Sequence, residues 1–182
     1  MIIDVDYIRH NVRDIAANID ANRLRNFIRE AENIDIRKVI GAELYRKLDE
    51  AGPFEVVDGA LVGDYDLTPE EVLLLTGGYY TSDCGCTEYF EGILLSLAYF
   101  AYARLVREHS LNVTAYGVVV KEGELSSPAD MRNIAAVAQN AQNIAEAYLG
   151  DTLKYWKAVQ SRACCADAQL PKRTRKFVAI GH

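Results

Sequence analysis

The chain has 182 residues, half of them hydrophobic and a quarter charged. That fits one soluble globular domain able to bury its own core without disulfides or metal. A net charge of −6 argues against nucleic acid as a partner for the body; Lys172, Arg173, Arg175 and Lys176 place four positive charges near the end, leaving −10 on the rest.

Met1 to Tyr7 lacks a basic segment and meets acidic residues at once, so no secretory leader is expected. The longest apolar run, 93–106, is interrupted by Ser96 and Arg104 and falls short of the roughly 20 residues a bilayer span needs. The expected setting is intracellular and away from the membrane, with the four cysteines reduced.

Ile8, Val12, Ile15 and Ile19 recur at helical spacing and predict a helix over 6–17. Asp20 is the N-cap expected for the next helix, where Leu24, Phe27, Ile28 and Ala31 form one stripe. Ile34, Ile36, Val39 and Ile40 lead to Gly41. A short helix follows with Leu44, Tyr45 and Leu48 inward, and Gly52-Pro53 stops it.

Residues 53–67 read as a long loop with a weak hairpin at Asp58-Gly59. Thr68-Pro69-Glu70-Glu71 is a helix start: a hydroxyl cap, proline at the first position and carboxylates at the positive end of the helix dipole. Gly77-Gly78 ends that helix, and 79–86 reads as a second loop.

The spacing then predicts a long central helix over 87–109, apolar almost all round, with Gly92, Ala98, Ala101 and Ala103 letting neighbours approach closely. Val113 to Leu125 is β-branched and predicts a hairpin turning at Glu122-Gly123. Ser127-Pro128 and Asp130 restart helix, and Ile134 to Leu149 carries it to Trp156 or beyond. Asn133, Gln139, Asn140, Gln142 and Asn143 give this helix an uncharged amide face, which suits either plain exposure or a protein contact.

The sharpest candidate for chemistry is the cysteine set, Cys84, Cys86, Cys164 and Cys165, since zinc takes four thiolate or imidazole ligands. The gaps of one residue and none are too short for structural zinc pairs, and adjacent cysteines on a helix point apart. Buried or surface thiols without a role are the expectation, and no metal or cofactor is expected. Asp64, Asp66 and Thr68 begin like a calcium loop, but Pro69 and Leu75 stand where glycine and glutamate belong. His10, His109 and His182 are isolated, and no nucleophile, metalloprotease, phosphate-loop or dinucleotide motif occurs. No catalytic residue is expected. The basic tail is either a solvated end or a docking arm, and Phe177, Val178 and Ile180 after its charges favour a protein partner.

Several stretches carry a resemblance: Asp6 to Ile15, Ile40 to Leu48, Leu97 to Arg104, Asn112 to Val119, and the Arg175-Lys176-Phe177 tail. The chain resembles the small, mostly helical head–tail connector (adaptor) proteins of tailed phages, in the form carried by phages and prophages of gut Bacteroidetes. The likeness spans most of the chain and rests on packing and arm motifs. It implies a virion protein, assembled in the bacterial cytoplasm, that docks beneath the portal as a ring of about a dozen copies and meets tail-completion proteins. DNA would pass through the channel without sequence-specific binding, eased by an acidic wall.

The expected fold is thus mainly α: a helical bundle around a long central apolar helix, with a small projecting β-hairpin at about 112–126. One domain over 1–163 is followed by an extended basic tail, 164–182. Val113, Thr114, Tyr116, Val118 and Val120 of the hairpin, with Lys172, Arg173, Arg175, Lys176 and Phe177 of the tail, are the candidate interface residues. The rivals to a connector are an intracellular helical adaptor for a cellular protein and a zinc- or thiol-dependent protein built on the four cysteines.

Overall fold

A computed structural model describes residues 1–13, 15, 19–82, 85–109, 111–114, 117–120 and 131–167; for 109, 111–114, 117–120 and 163–167 the description is of the backbone. The described residues are mostly helical, with short antiparallel strand pairs between the helices.

The chain enters through its own core. Ile2 and Ile3 are fully buried, and the Ile2 carbonyl accepts from the Phe54 amide at 2.9 Å. Helix α1 (Val5–Asn11) starts where Asp4 accepts from the Val5 amide and ends at Val12, well short of the predicted 17. The Val12 backbone leaves helical geometry there (φ −105°, ψ −113°), so the apolar spacing outlasts the helix. Helix α2 (Ala21–Ala31) is capped by Asp20, whose side chain accepts from the Asn22 amide at 2.9 Å, and it buries the expected stripe of Leu24, Phe27, Ile28 and Ala31.

A five-residue π-helical segment, Glu32–Ile36, continues α2 into α3 (Arg37–Ile40). Its wider turn changes which side chains face inward. Ile36 is fully buried, Glu32 is 1% exposed, and Ile34 and Val39 are left outside. The Glu32 carboxylate receives the Ile2 amide at 2.5 Å, tying the N-terminal segment to the helices. Asp35 meets Arg104 at 2.7 Å, pinning this segment to a later helix. Burial raises both carboxyls above their ordinary ranges, against the Ile2 hydrogen bond at Glu32 and the Arg104 charge at Asp35.

Helix α4 (Ala42–Ala51) lies between Gly41 and Gly52, as the glycines predict. Strands β1 (Glu55–Val57) and β2 (Ala60–Val62) pair antiparallel around Asp58-Gly59, both at positive φ, as a tight two-residue hairpin requires. Helix α5 (Pro69–Thr76) carries a full capping box: Thr68 Oγ1 accepts from the Glu71 amide at 3.2 Å, and Glu71 Oε2 accepts from the Thr68 amide at 2.8 Å.

The predicted loop at 79–86 and the first turn of the predicted long helix both need correction. Gly78–Thr81 is strand β3 and Thr87–Phe90 is strand β4, paired Gly78 to Phe90 and Thr81 to Thr87. Helix α6 (Gly92–His109) starts only at Gly92, whose φ of +80° turns the chain out of the strand. A Cβ at Gly92 would lie 2.3 Å from the Leu75 carbonyl oxygen, and one at Gly77 would lie 2.4 Å from that of Phe90. The close crossing of two chain segments is what these glycines permit.

Helix α6 packs on α2, α5 and α1, and most extensively on α7 (Met131–Asp167), with Ile93, Leu94, Leu97, Ala98 and Ala101 fully buried. Ala138, Ala141 and Ala145 of α7 are fully buried as well, so the small residues of both helices allow a close approach. Between these two helices, β5 (Leu111–Thr114) pairs with β6 (Gly117–Val120), Thr114 opposite Gly117. The chain therefore reverses between Thr114 and Gly117, earlier than the turn predicted at Glu122-Gly123; those two residues, like the start signal at Ser127-Pro128, lie outside the described residues. Helix α7 runs past Trp156 to Asp167, four residues into the stretch expected as tail. Among the described residues no helix is long and apolar enough to cross a membrane.

Candidate docking surfaces

The candidate interface residues divide by place. Val113 and Thr114 lie on β5 and Val118 and Val120 on β6, with Val113 opposite Val118. Tyr116, Lys172, Arg173, Arg175, Lys176 and Phe177 lie outside the described residues. Cys86 sits exposed just before β4, Cys164 and Cys165 follow one another on α7, and Cys84 lies outside the described residues. Among the described residues no three His, Cys, Asp or Glu side chains gather in a way that could hold a metal ion. Thr68 and Glu71, part of the stretch that begins like a calcium loop, are engaged in the α5 cap. His10 is exposed, its Nδ1 2.7 Å from the Asp6 carbonyl oxygen, and His109 ends α6.

The β3–β4 pair presents aromatic side chains on both faces. Strand alternation sends Tyr80 and Phe90 inward, where Phe90 stacks on Tyr155 of α7 at 4.6 Å and Tyr80 meets Tyr155 edge-on at 5.3 Å. It sends Tyr79 and Tyr89 outward, 5.0 Å apart and 73% and 51% exposed. The Tyr155 hydroxyl donates to the Glu70 carbonyl, closing the layer against α5. The sequence hides the outer tyrosine pair because Tyr89 also fits a helical stripe; the alternation after Gly77-Gly78 is its signal.

On α7 the amide face is real. Asn133, Gln139, Asn140 and Asn143 are exposed and Gln142 half-buried, with Met131 and Val137 exposed beside them. Gln139 donates to Asn143 at 2.9 Å and Gln142 to Glu146 at 3.0 Å, so the row is organised one helical turn at a time.

Clefts border the N-terminal half among the described residues. One, of about 690 Å³, lies between α1 and β1 and is lined by Asp4, Asp6, Glu55 and Asp58 together with Tyr7, His10 and Phe54. Burial, then the Glu91 charge, pushes the Tyr7 hydroxyl up to about 12, so it stays a neutral donor across the physiological range. Another, of about 510 Å³, runs along α4 to Trp156 and includes Lys47 and Glu71. There burial raises the Glu71 carboxyl, but hydrogen bonds from Lys47 and the Thr68 amide outweigh it and hold the group below the usual Glu range.

The family of unknown function DUF6712 matches residues 36–162, well over half of the chain, from the π-helical segment through most of α7. No curated protein and no solved structure matches.

Proposed function

We propose a non-enzymatic, structural role in phage or prophage assembly for this chain, which belongs to the DUF6712 family of unknown function. In this reading copies form a ring of about a dozen subunits that joins the portal to the tail. The observation that carries it is the contrast between a closed core and an apolar, aromatic and amide surface. Leu24, Ile36, Leu75, Leu94 and Leu97 are fully buried, while Tyr79, Tyr89, Val57, Val62, Met131 and Val137 are exposed on strand pairs and α7. Single exposed apolar residues are ordinary, but tyrosines paired on a strand face, together with a row of amides on α7, suit contact with other subunits.

Within that role α6 is the axis of the subunit, with α2, α5 and α7 as the wall around it. The β5–β6 pair projects toward a neighbour or the portal, and the residues after α7 act as an arm. The acidic balance of the body suits a channel wall along which DNA slides without being held.

Native mass spectrometry of the full chain, alone and with a portal ring added, tests this. Metal-free assemblies of about a dozen 20.3 kDa subunits are expected. A monomer carrying stoichiometric zinc would overturn the reading in favour of the cysteines. A monomer or dimer that ignores the portal would overturn it in favour of an adaptor for a cellular protein.

A further inference from the structure

We propose that the acidic cleft between α1 and β1 is the seat for the basic C-terminal tail, residues 171–180, of a neighbouring copy of this chain; the choice of a neighbouring copy rests on the assembly role proposed above. The cleft measures about 690 Å³ and offers a partner to each chemistry the tail carries, carboxylates for its cations and apolar walls for its apolar residues. Its walls include Tyr7, Phe54 and Val56, with Val57 half-exposed beside them. Its carboxylates divide into two kinds. Asp4 is committed to the Val5 amide at 2.7 Å, and Asp6 lies 3.3 Å from Arg9. Glu55 and Asp58 are exposed, and among the described residues neither has a cationic partner.

The tail is the chain's own complement to such a surface. Lys172, Arg173, Arg175 and Lys176 supply four cations, and Phe177, Val178 and Ile180 follow as apolar anchors. The body of the chain is otherwise strongly acidic, so no other segment concentrates positive charge in this way. Asp167 lies five residues before Lys172, and an extended chain covers roughly 3.3–3.6 Å per residue, so the neighbour's cleft must lie within about 18 Å of the end of α7. A tail seated on the next subunit is a head-to-tail contact, the kind that closes a ring when the rotation allows.

Zero-length carbodiimide coupling of the full chain, mixed equally as unlabelled and ¹⁵N-labelled protein, reads the contact directly. It joins a lysine amine to a carboxylate only where the two touch. Lys47 and Glu71, 2.6 Å apart within one chain, report that the coupling has worked. The expected products join Lys172 or Lys176 of one isotope to Glu55 or Asp58 of the other. They should be lost in high salt, which screens exposed charge, and in an Arg173→Glu/Arg175→Glu variant that keeps both lysines. Tail–cleft products confined to single isotopes, with no mixed ones, would overturn the proposal by placing the tail on its own body. Lys47–Glu71 products without any tail–cleft product would overturn it as well. Native mass spectrometry of the same mixture separates this from the assembly role. Rings without tail–cleft products leave the ring and remove the tail contact; mixed-isotope products in a dimer that ignores the portal do the reverse.

Discussion

Glu32 and Glu71 are both nearly buried carboxylates, 1% and 8% exposed, and their surroundings drive them in opposite directions. At Glu32 burial dominates and raises the carboxyl; at Glu71 the Lys47 ammonium and the Thr68 amide prevail over burial and lower it. The signs fix what pH does. A carboxyl raised on folding contributes its stability fully below its unfolded pKa, and the contribution is lost as pH rises through the folded value. Glu32 therefore weakens the fold on going from the ordinary Glu range upward, and Glu32→Gln, which keeps an acceptor for the Ile2 amide, should flatten that decline in urea denaturation measured from acid to neutral pH. Glu71 contributes above the ordinary Glu range, and its share is lost as pH falls through its lowered value. The partner in its cap gives a second test. Thr68→Ala removes the acceptor for the Glu71 amide and should cost about 1 kcal/mol, read from the denaturation midpoint at neutral pH.

Helix starts and stops in this chain depend on glycines whose demands differ. Gly92 combines a φ of +80° with a neighbouring carbonyl 2.3 Å from where a Cβ would sit, so Gly92→Ala strains both the backbone and the crossing of the segments around Leu75 and Gly92. A loss of at least ~1–3 kcal/mol is expected in thermal or urea unfolding. Gly150 lies inside α7 with nothing within 4 Å of a Cβ. Gly150→Ala should therefore stabilise by about 0.5–1 kcal/mol, because alanine has less backbone freedom to lose. Opposite signs from the same substitution would show that Gly92 is held by its φ and the close crossing together, constraints that Gly150 lacks. The same crossing explains why the long helix begins late: with the chain turned at Gly92, Thr87–Phe90 is free to pair with β3.

The buried core residues described lie between Ile2 and Ala158. A chain ending at Leu170 should unfold at the midpoint of the full chain in calorimetry yet fail to assemble in native mass spectrometry. A lowered midpoint would assign the tail to the fold; normal assembly would remove it from the docking scheme. Among the described residues α6 contacts α1, α2, α5 and α7, while the amide row and the Tyr79–Tyr89 pair are left to solvent.

Features set by near neighbours in the chain are legible in the amino-acid sequence by itself. Asp20 and Thr68 cap because a side-chain oxygen reaches amides two or three residues on, and Asp58-Gly59 turns because both residues tolerate positive φ. The stripe of Leu24, Phe27, Ile28 and Ala31 follows from 3.6 residues per turn. Features that depend on a distant partner are not legible there. Thr87–Phe90 has an apolar spacing that suits helix or strand, and pairing with Gly78–Thr81 decides between them. The reversal after Thr114 follows from strand register, against a stronger local turn signal at Glu122-Gly123. The acidic cleft joins residues 4–11 to 53–58, and Glu32 turns inward because a π-helical segment meets the Ile2 amide. Local hydrogen bonds and periodicity act over a few residues and are written in order along the chain. Pairing, burial and charge act through space, and only the packed chain brings their partners together.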